Sequence, residues 1–179
     1  MEQLRNFLND DEKVSWWILG GSGGGGKSRL ALQFCNYCIT QGWIAGFYDC
    51  DISFDALSKW SPCQPHFIVI DYAARHENKT RALLKYAIEL NKTENIKFSI
   101  RILLIERDAQ STIDLIRFTE TSGSELMDYL FPDAALRLTP LSTEDIKSVV
   151  NDLCRFFKVP KSKQSSVLDY ALQNSSGRK

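Results

Sequence analysis

Apolar and polar positions alternate in blocks along this chain. Val14 to Leu19 is an apolar, aromatic run that stops at glycine, and it predicts a first strand. Lys27 to Thr40 follows as a helix, and Trp43 to Tyr48 reads as a second strand. Phe67 to Ile70 is a short apolar run between Pro65 and Asp71, which predicts a buried third strand. Arg81 to Leu90 places apolar residues at 83, 84, 87, 88 and 90, the spacing of one helix face. Ile100 to Ile105 predicts a fourth strand and Ala135 to Leu138 a short fifth. Strands that alternate with helices favour an α/β fold, a parallel sheet covered on both faces.

After Pro140 the pattern turns helical. Ser142-Thr143-Glu144-Asp145 resembles a capping box with Asp in place of Glu, and Leu141 and Ile146 stand where a hydrophobic staple would put them. Ile146, Val149, Val150, Leu153 and Phe156 then form one stripe, which needs a partner surface. Ser165 to Gln173 predicts a last helix. The expected division is a core over residues 1–140 and the start of a helical lid subdomain over 141–179, cut short if the native chain continues.

The chain has 179 residues, 44% hydrophobic and 25% charged, so one domain with a real core is expected. Lys+Arg and Asp+Glu are equal at 22 each, so no global field draws the chain to nucleic acid or to an acidic membrane. The sequence carries no direct nucleic-acid signal and no run long enough to span a bilayer. Met1 to Asp11 is polar and acidic, without the core of a signal peptide. Five cysteines, an odd number, suggest reduced thiols and a cytoplasmic location. Cys35 and Cys38 have zinc-like spacing but lie inside a predicted helix, and no second pair matches them, so they read as buried thiols.

The candidate chemistry sits between the first strand and the helix after it. Gly21-Ser22-Gly23-Gly24-Gly25-Gly26-Lys27-Ser28 fits G-x-x-x-x-G-K-[ST]. A triphosphate concentrates negative charge, and burying it takes many donors. Glycines let the backbone wrap closely, so that its N–H groups form an anion nest. The helix that starts near Lys27 aims its positive end at the same phosphates. Lys27 is expected at the β and γ phosphates, and Ser28 on Mg²⁺. Asp71 ends an apolar strand about 40 residues on, the place of a Walker B carboxylate that holds the Mg²⁺ shell opposite Ser28. Many ATPases follow that Asp with a catalytic carboxylate. Here Tyr72 follows, and Glu77 has nothing to position it, so hydrolysis is expected to be slow if it occurs. Asn91-Lys92-Thr93-Glu94 differs from a guanine-reading motif in its placement, which favours ATP over GTP.

Ile18 to Phe34, with Gly26-Lys27-Ser28-Arg29-Leu30-Ala31-Leu32, resembles the P-loop of STAND NTPases, the signal-transduction ATPases that include NACHT proteins. Ile68 to Arg75 resembles the Walker B segment of a bacterial subgroup, Arg101 to Arg107 its sensor strand, and Leu136 to Leu141 its passage into a helical lid. The resemblance implies a P-loop NTPase three-layer sandwich with sheet order 5-1-4-3-2, and an ATP/ADP switch that drives signalling or oligomerisation. It adds Arg29 to the nucleotide-binding residues Gly21 to Ser28. It implies catalytic roles for Lys27, Asp71 and Arg107, with partners in other domains of a longer chain or in a second copy. In this scheme Arg107 touches the γ-phosphate from the end of the fourth strand and Glu106 is a bystander; a solvated charge in a turn is the plainer alternative for Arg107. Two other functions stay open. A small P-loop kinase would bind its acceptor near Asp49 and Asp51, and a binding-only module would never turn over.

Overall fold

The computed structural model describes residues 1–93, 96–118, 123–132, 135–139 and 142–175. Among these, the elements run α1 (Glu2–Leu8), β1 (Val14–Gly20), α2 (Lys27–Thr40), β2 (Ile44–Phe47), α3 (Phe54–Leu57), β3 (His66–Asp71), α4 (Glu77–Thr93), β4 (Ile100–Glu106), α5 (Ala109–Arg117), α6 (Gly123–Met127), β5 (Leu136–Arg137), α7 (Thr143–Phe156) and α8 (Lys161–Ser175). The strands form one parallel sheet in the order β2-β3-β4-β1-β5. Read from the other edge this is 5-1-4-3-2, the order the sequence resemblance implies.

The chain divides into two compact units. The first comprises Met1–Gly21 and Gly26–Leu138, and the second comprises Ser22–Gly25 and Thr139–Lys179.

In the first unit, strand residues alternate between two apolar layers. Trp16, Ile18, Ile70, Ile102 and Leu104 face the layer closed by α4 and α5. Trp17, Leu19, Phe67, Val69, Leu103 and Ile105 face the layer closed by α1 and α2. Strands buried on both faces explain why β1, β3 and β4 read as continuous apolar runs. Trp16 and Trp17 are wholly buried, and the Trp16 indole donates to the Leu126 carbonyl at 2.6 Å.

Among the described residues, four helices lie outside the elements the apolar pattern predicts. The first of them, α1, lies in the acidic N-terminal stretch and buries Leu4, Phe7 and Leu8, whose spacing fits one helix face. Arg101 fixes this helix. Its guanidinium, almost fully buried, donates to the carbonyls of Phe7 at 2.9 Å and Lys13 at 3.3 Å. Burial lowers the Arg101 pKa, and Asp10 and Glu12 pull it back up. The helices α3 and α6 are single turns, too short to show a period. Asp108 starts α5 by accepting from the backbone N–H groups of Gln110 and Ser111.

In the second unit, α7 carries the capping box read from the sequence. The Ser142 hydroxyl accepts from the Asp145 N–H, and the Asp145 carboxylate accepts from the Ser142 N–H. Leu141, the other half of the expected staple, lies outside the described residues. The expected stripe is only partly covered. Ile146, Val150 and Cys154 are the buried residues of α7, packed with Val159, Leu168, Ala171 and Leu172. Val149 and Leu153 are about half exposed and Phe156 is 78% exposed. The buried row is the one that meets α8, and the rest of the stripe stays open. That last helix spans Lys161–Ser175, starting right after Pro160.

Candidate functional site

The carboxyl ends of β1, β3 and β4 bring the candidate residues of the first unit to one edge of the sheet. The register places Gly20 opposite Glu106 on one side and opposite Arg137 on the other. The phosphate loop therefore leaves the sheet between the ends of β4 and β5.

Local geometry dictates the glycines at the two ends of this loop. Gly21 has φ +149°, and a Cβ there would stand 2.9 Å from the Leu138 carbonyl oxygen, a backbone atom that cannot yield. Gly26 has φ +87°, the left-handed region, and forms the N-cap of α2. The tip residues Ser22–Gly25 belong to the second unit. There Gly24 is also left-handed at φ +75°, and the Gly25 N–H donates to the Ser22 carbonyl at 3.2 Å, a tight turn.

Lys27 is buried, and its Nζ donates to the Gly21 carbonyl at 2.7 Å, which holds the ammonium at the mouth of β1. Ser28 and Arg29 are exposed in the first turn of α2. Across the sheet edge the Ser28 hydroxyl donates to Asp71 Oδ2 at 2.7 Å, 43 residues away in the chain. The other oxygen of that carboxylate, Oδ1, accepts from the Tyr72 N–H at 3.0 Å. A hydroxyl and an oriented carboxylate in contact form an oxygen donor set of the kind that Mg²⁺ takes.

The segment Glu106-Arg107-Asp108 is more ordered than its charge suggests. Glu106 is held by two backbone groups. Its Oε1 accepts from the Ala74 N–H at 2.7 Å and its Oε2 from the Arg107 N–H at 3.1 Å. Asp108 caps α5, and hydrogen bonds from the Ser111 hydroxyl and backbone hold its carboxyl below the usual range; the charge of Arg137 adds to this. Between them, Arg107 is exposed, and its carbonyl accepts from the Gly21 N–H at 3.4 Å. The backbone of Arg107 is thus pinned beside the start of the loop while its side chain stays accessible. Arg137 was missed as a site candidate, although Leu136-Arg137-Leu138 could have marked it by leading out of a strand beside the loop.

Other residues weighed from the sequence lie elsewhere. Glu77 pairs with Arg81 within α4. Asn91 to Thr93 form the end of the same helix, and Glu94 lies outside the described residues. Cys35 and Cys38 are buried in α2, and burial pushes their thiols up to about 11 and about 12. Among the described residues no three His, Cys, Asp or Glu side chains form a metal-holding group. None of the described helices is long and apolar enough to cross a membrane.

No family model matches the sequence. No curated protein matches it either. Solved structures do share its fold. A DNA replication initiation factor aligns with a TM-score of 0.62 at 13% identity, covering 96% of this chain and 53% of that one. A structure of Drosophila ORC bound to DNA aligns at 0.59 and 14% identity, over 97% of this chain and 50% of that one. The Aeropyrum pernix ORC2 protein, in ADPNP and ADP complexes, aligns at 0.56 and 13% identity, over 86% and 50%. This chain spans about half the length of each. The fold shared with these structures is a five-stranded parallel sheet between helices.

Proposed function

We propose that this chain is the nucleotide-binding part of an ATP/ADP switch in a signalling ATPase of the STAND kind, with slow Mg²⁺-dependent ATP hydrolysis at most. The observation that carries the reading is the 2.7 Å contact between Ser28 and Asp71, formed where α2 starts. In this reading the loop from Gly21 to Gly26 cradles the phosphates, Lys27 reaches the β and γ oxygens, and Arg29 contributes at the rim. Ser28 and Asp71 would hold Mg²⁺, which supplies charge neutralisation between the phosphates when bound. Arg107 would report the γ-phosphate. The nucleotide complexes of the Aeropyrum pernix protein support nucleotide binding on this fold. The exposed Val149, Leu153 and Phe156 support a partner in the rest of a longer chain or in a second copy. Free cysteines suit a cytoplasmic setting. Residues from Thr139 onward would act as the lid subdomain.

The test is the metal dependence of binding. Asp71→Asn should weaken Mg-ATP binding roughly tenfold or more, the scale of a lost charged contact, and leave metal-free ADP binding nearly unchanged. Equal losses in both titrations would make Asp71 structural and remove the reading.

A second reading has one observation in its favour. A cavity of about 260 Å³ adjoins Asp71 and is lined by Tyr48, Asp49, Asp51 and His76 among others. It could seat a phosphoryl acceptor, as in a small P-loop kinase. Transfer of labelled γ-phosphate to an added amine- or hydroxyl-bearing acceptor, rather than to water, would favour that reading.

A further inference from the structure

We propose that Glu106 is the carboxylate that takes the proton from the water attacking the γ-phosphate, serving from β4 the role of the acidic residue that β3 lacks. The proposal rests on the nucleotide reading above and assigns its hydrolytic residue.

Position 72, directly after Asp71, holds a tyrosine that cannot accept a proton from water as a carboxylate does. The backbone there also turns away. Tyr72 has φ +55°, the left-handed region that a non-glycine residue seldom adopts. Its side chain is 52% exposed. Asp71 is in register with Ile105 on the neighbouring strand. If that register continued one step past the end of β3, position 72 would be level with Glu106. Side chains alternate along a strand, so Glu106 stands on the opposite face of the sheet from Ile105 and Asp71, the face that a residue directly after Asp71 would take in a continued strand. On its other side Glu106 is level with Gly20, where the phosphate loop departs. The one carboxylate on β4 thus lies between the strand that offers Asp71 and the strand that offers the loop.

Its orientation is fixed. Oε1 accepts from the Ala74 N–H and Oε2 from the Arg107 N–H. The Ala73 N–H, donating to the Ile105 carbonyl at 3.4 Å, keeps the turn after β3 against β4. A carboxylate offers about four acceptor sites, and these two bonds leave others for a water. In the step, the water oxygen bonds to the γ-phosphorus as its proton passes to Glu106. The bond from that phosphorus to the β,γ-bridging oxygen breaks, and ADP leaves with the electron pair. Glu106 then returns the proton to phosphate or solvent, so ATP and water give ADP and phosphate.

Single-turnover hydrolysis of γ-labelled ATP by the 179-residue chain tests the assignment, with ATP and ADP affinities measured on the same preparations. Glu106→Gln keeps the size of the side chain and one acceptor oxygen. It should bind ATP with affinity within about twofold of the unaltered chain and hydrolyse it about 10²–10⁴-fold more slowly. Glu106→Asp, which retains a carboxylate on a shorter arm, should recover part of that rate. Hydrolysis by Glu106→Gln at the unaltered rate overturns the proposal, as does a loss of affinity that accounts for the whole loss of rate. It also falls if the unaltered chain binds ATP yet turns over no faster than Lys27→Ala. Failure of the unaltered chain to bind ATP at all is a separate result that removes the nucleotide reading itself.

Discussion

Two helices of 14 residues each begin in opposite ways. The helix α7 starts at Ser142, and the Ser142–Asp145 box satisfies its first N–H groups with side chains. Its counterpart α2 starts at a left-handed glycine, and no side chain among the described residues caps it. Every helix leaves its first N–H groups without partners inside the helix. A chain that spends a serine and an aspartate on those groups closes that end. A chain that leaves a glycine there, followed by a buried lysine and a serine, keeps the end available for an anion. Their burial differs in the same sense. Ala31, Phe34, Cys35 and Cys38 root α2 in the sheet, whereas α7 buries three side chains against α8. The open end sits on the helix with more side chains buried.

The strongest way to break this comparison is to remove the cation from the open end. Lys27→Ala should lower Mg-ATP affinity by about a hundredfold, the upper end of a desolvated charged contact near 3 kcal/mol. Far-UV circular dichroism should stay unchanged, because Lys27 lies outside the apolar layers. Calorimetry showing unaltered affinity would mean that the uncapped end of α2 binds no phosphate.

Arg107 sharpens the comparison by asking which phosphate the open end reads. It stands beside the loop with its backbone fixed by Gly21 and Glu106 and its side chain free to reach out. A guanidinium bonds phosphate oxygens bidentately, so a contact to the γ-phosphate alone separates ATP from ADP. Arg107→Ala should weaken ATP binding roughly tenfold to a hundredfold and leave ADP binding nearly unchanged. ADP is the control here, because it lacks the γ-phosphate that Arg107 would touch. Parallel losses for ATP and ADP would leave Arg107 a solvated turn residue.

What the sequence made legible follows the same divide. Strands β1, β3 and β4 are mostly apolar because both faces are covered, and α2 begins and ends where its pattern says. The phosphate loop is a local motif, so spacing alone marks it. The Ser28–Asp71 contact is long-range, yet both partners could be named because each ends or starts an element. The role of Glu106 was not legible. Its partners, Ala74 and Arg107, are set by the register of β3 on β4, which no local pattern encodes. Which row of α7 turns inward was not legible either. Apolar side chains cover more of that helix than α8 can bury, so composition could not say which row turns in.

At the capped end the expected effect is smaller and purely structural. Ser142→Ala removes the acceptor for the Asp145 N–H and should cost about 1 kcal/mol, the usual loss for an N-cap. Thermal unfolding would register this as a lower midpoint, while ATP affinity should not move. An affinity change would mean that the two helix starts are coupled rather than contrasted.

The smallest expected effect is the pH dependence of that same cap. The Asp145 carboxyl accepts from the Ser142 hydroxyl at 2.7 Å and from the Ser142 N–H at 3.1 Å. These bonds favour the carboxylate, so its pKa is lowered, with the hydroxyl bond the larger cause. A carboxyl with a depressed value in the folded state contributes stability that is present above its unfolded value, near 3.9, and is lost as pH falls through the folded one. Asp108 is lowered in the same way at the start of α5, so a bare pH scan would mix the two. Asp145→Asn isolates one of them, because Asp108 is common to both proteins. The amide oxygen can still accept one of the two bonds, which keeps the difference small. The unaltered chain should melt above Asp145→Asn at pH 7, and the gap should narrow below about pH 4 as the carboxyl protonates. A gap that stays constant down to pH 3, or widens, would mean that the charge of Asp145 contributes nothing and the cap works through the hydroxyl alone.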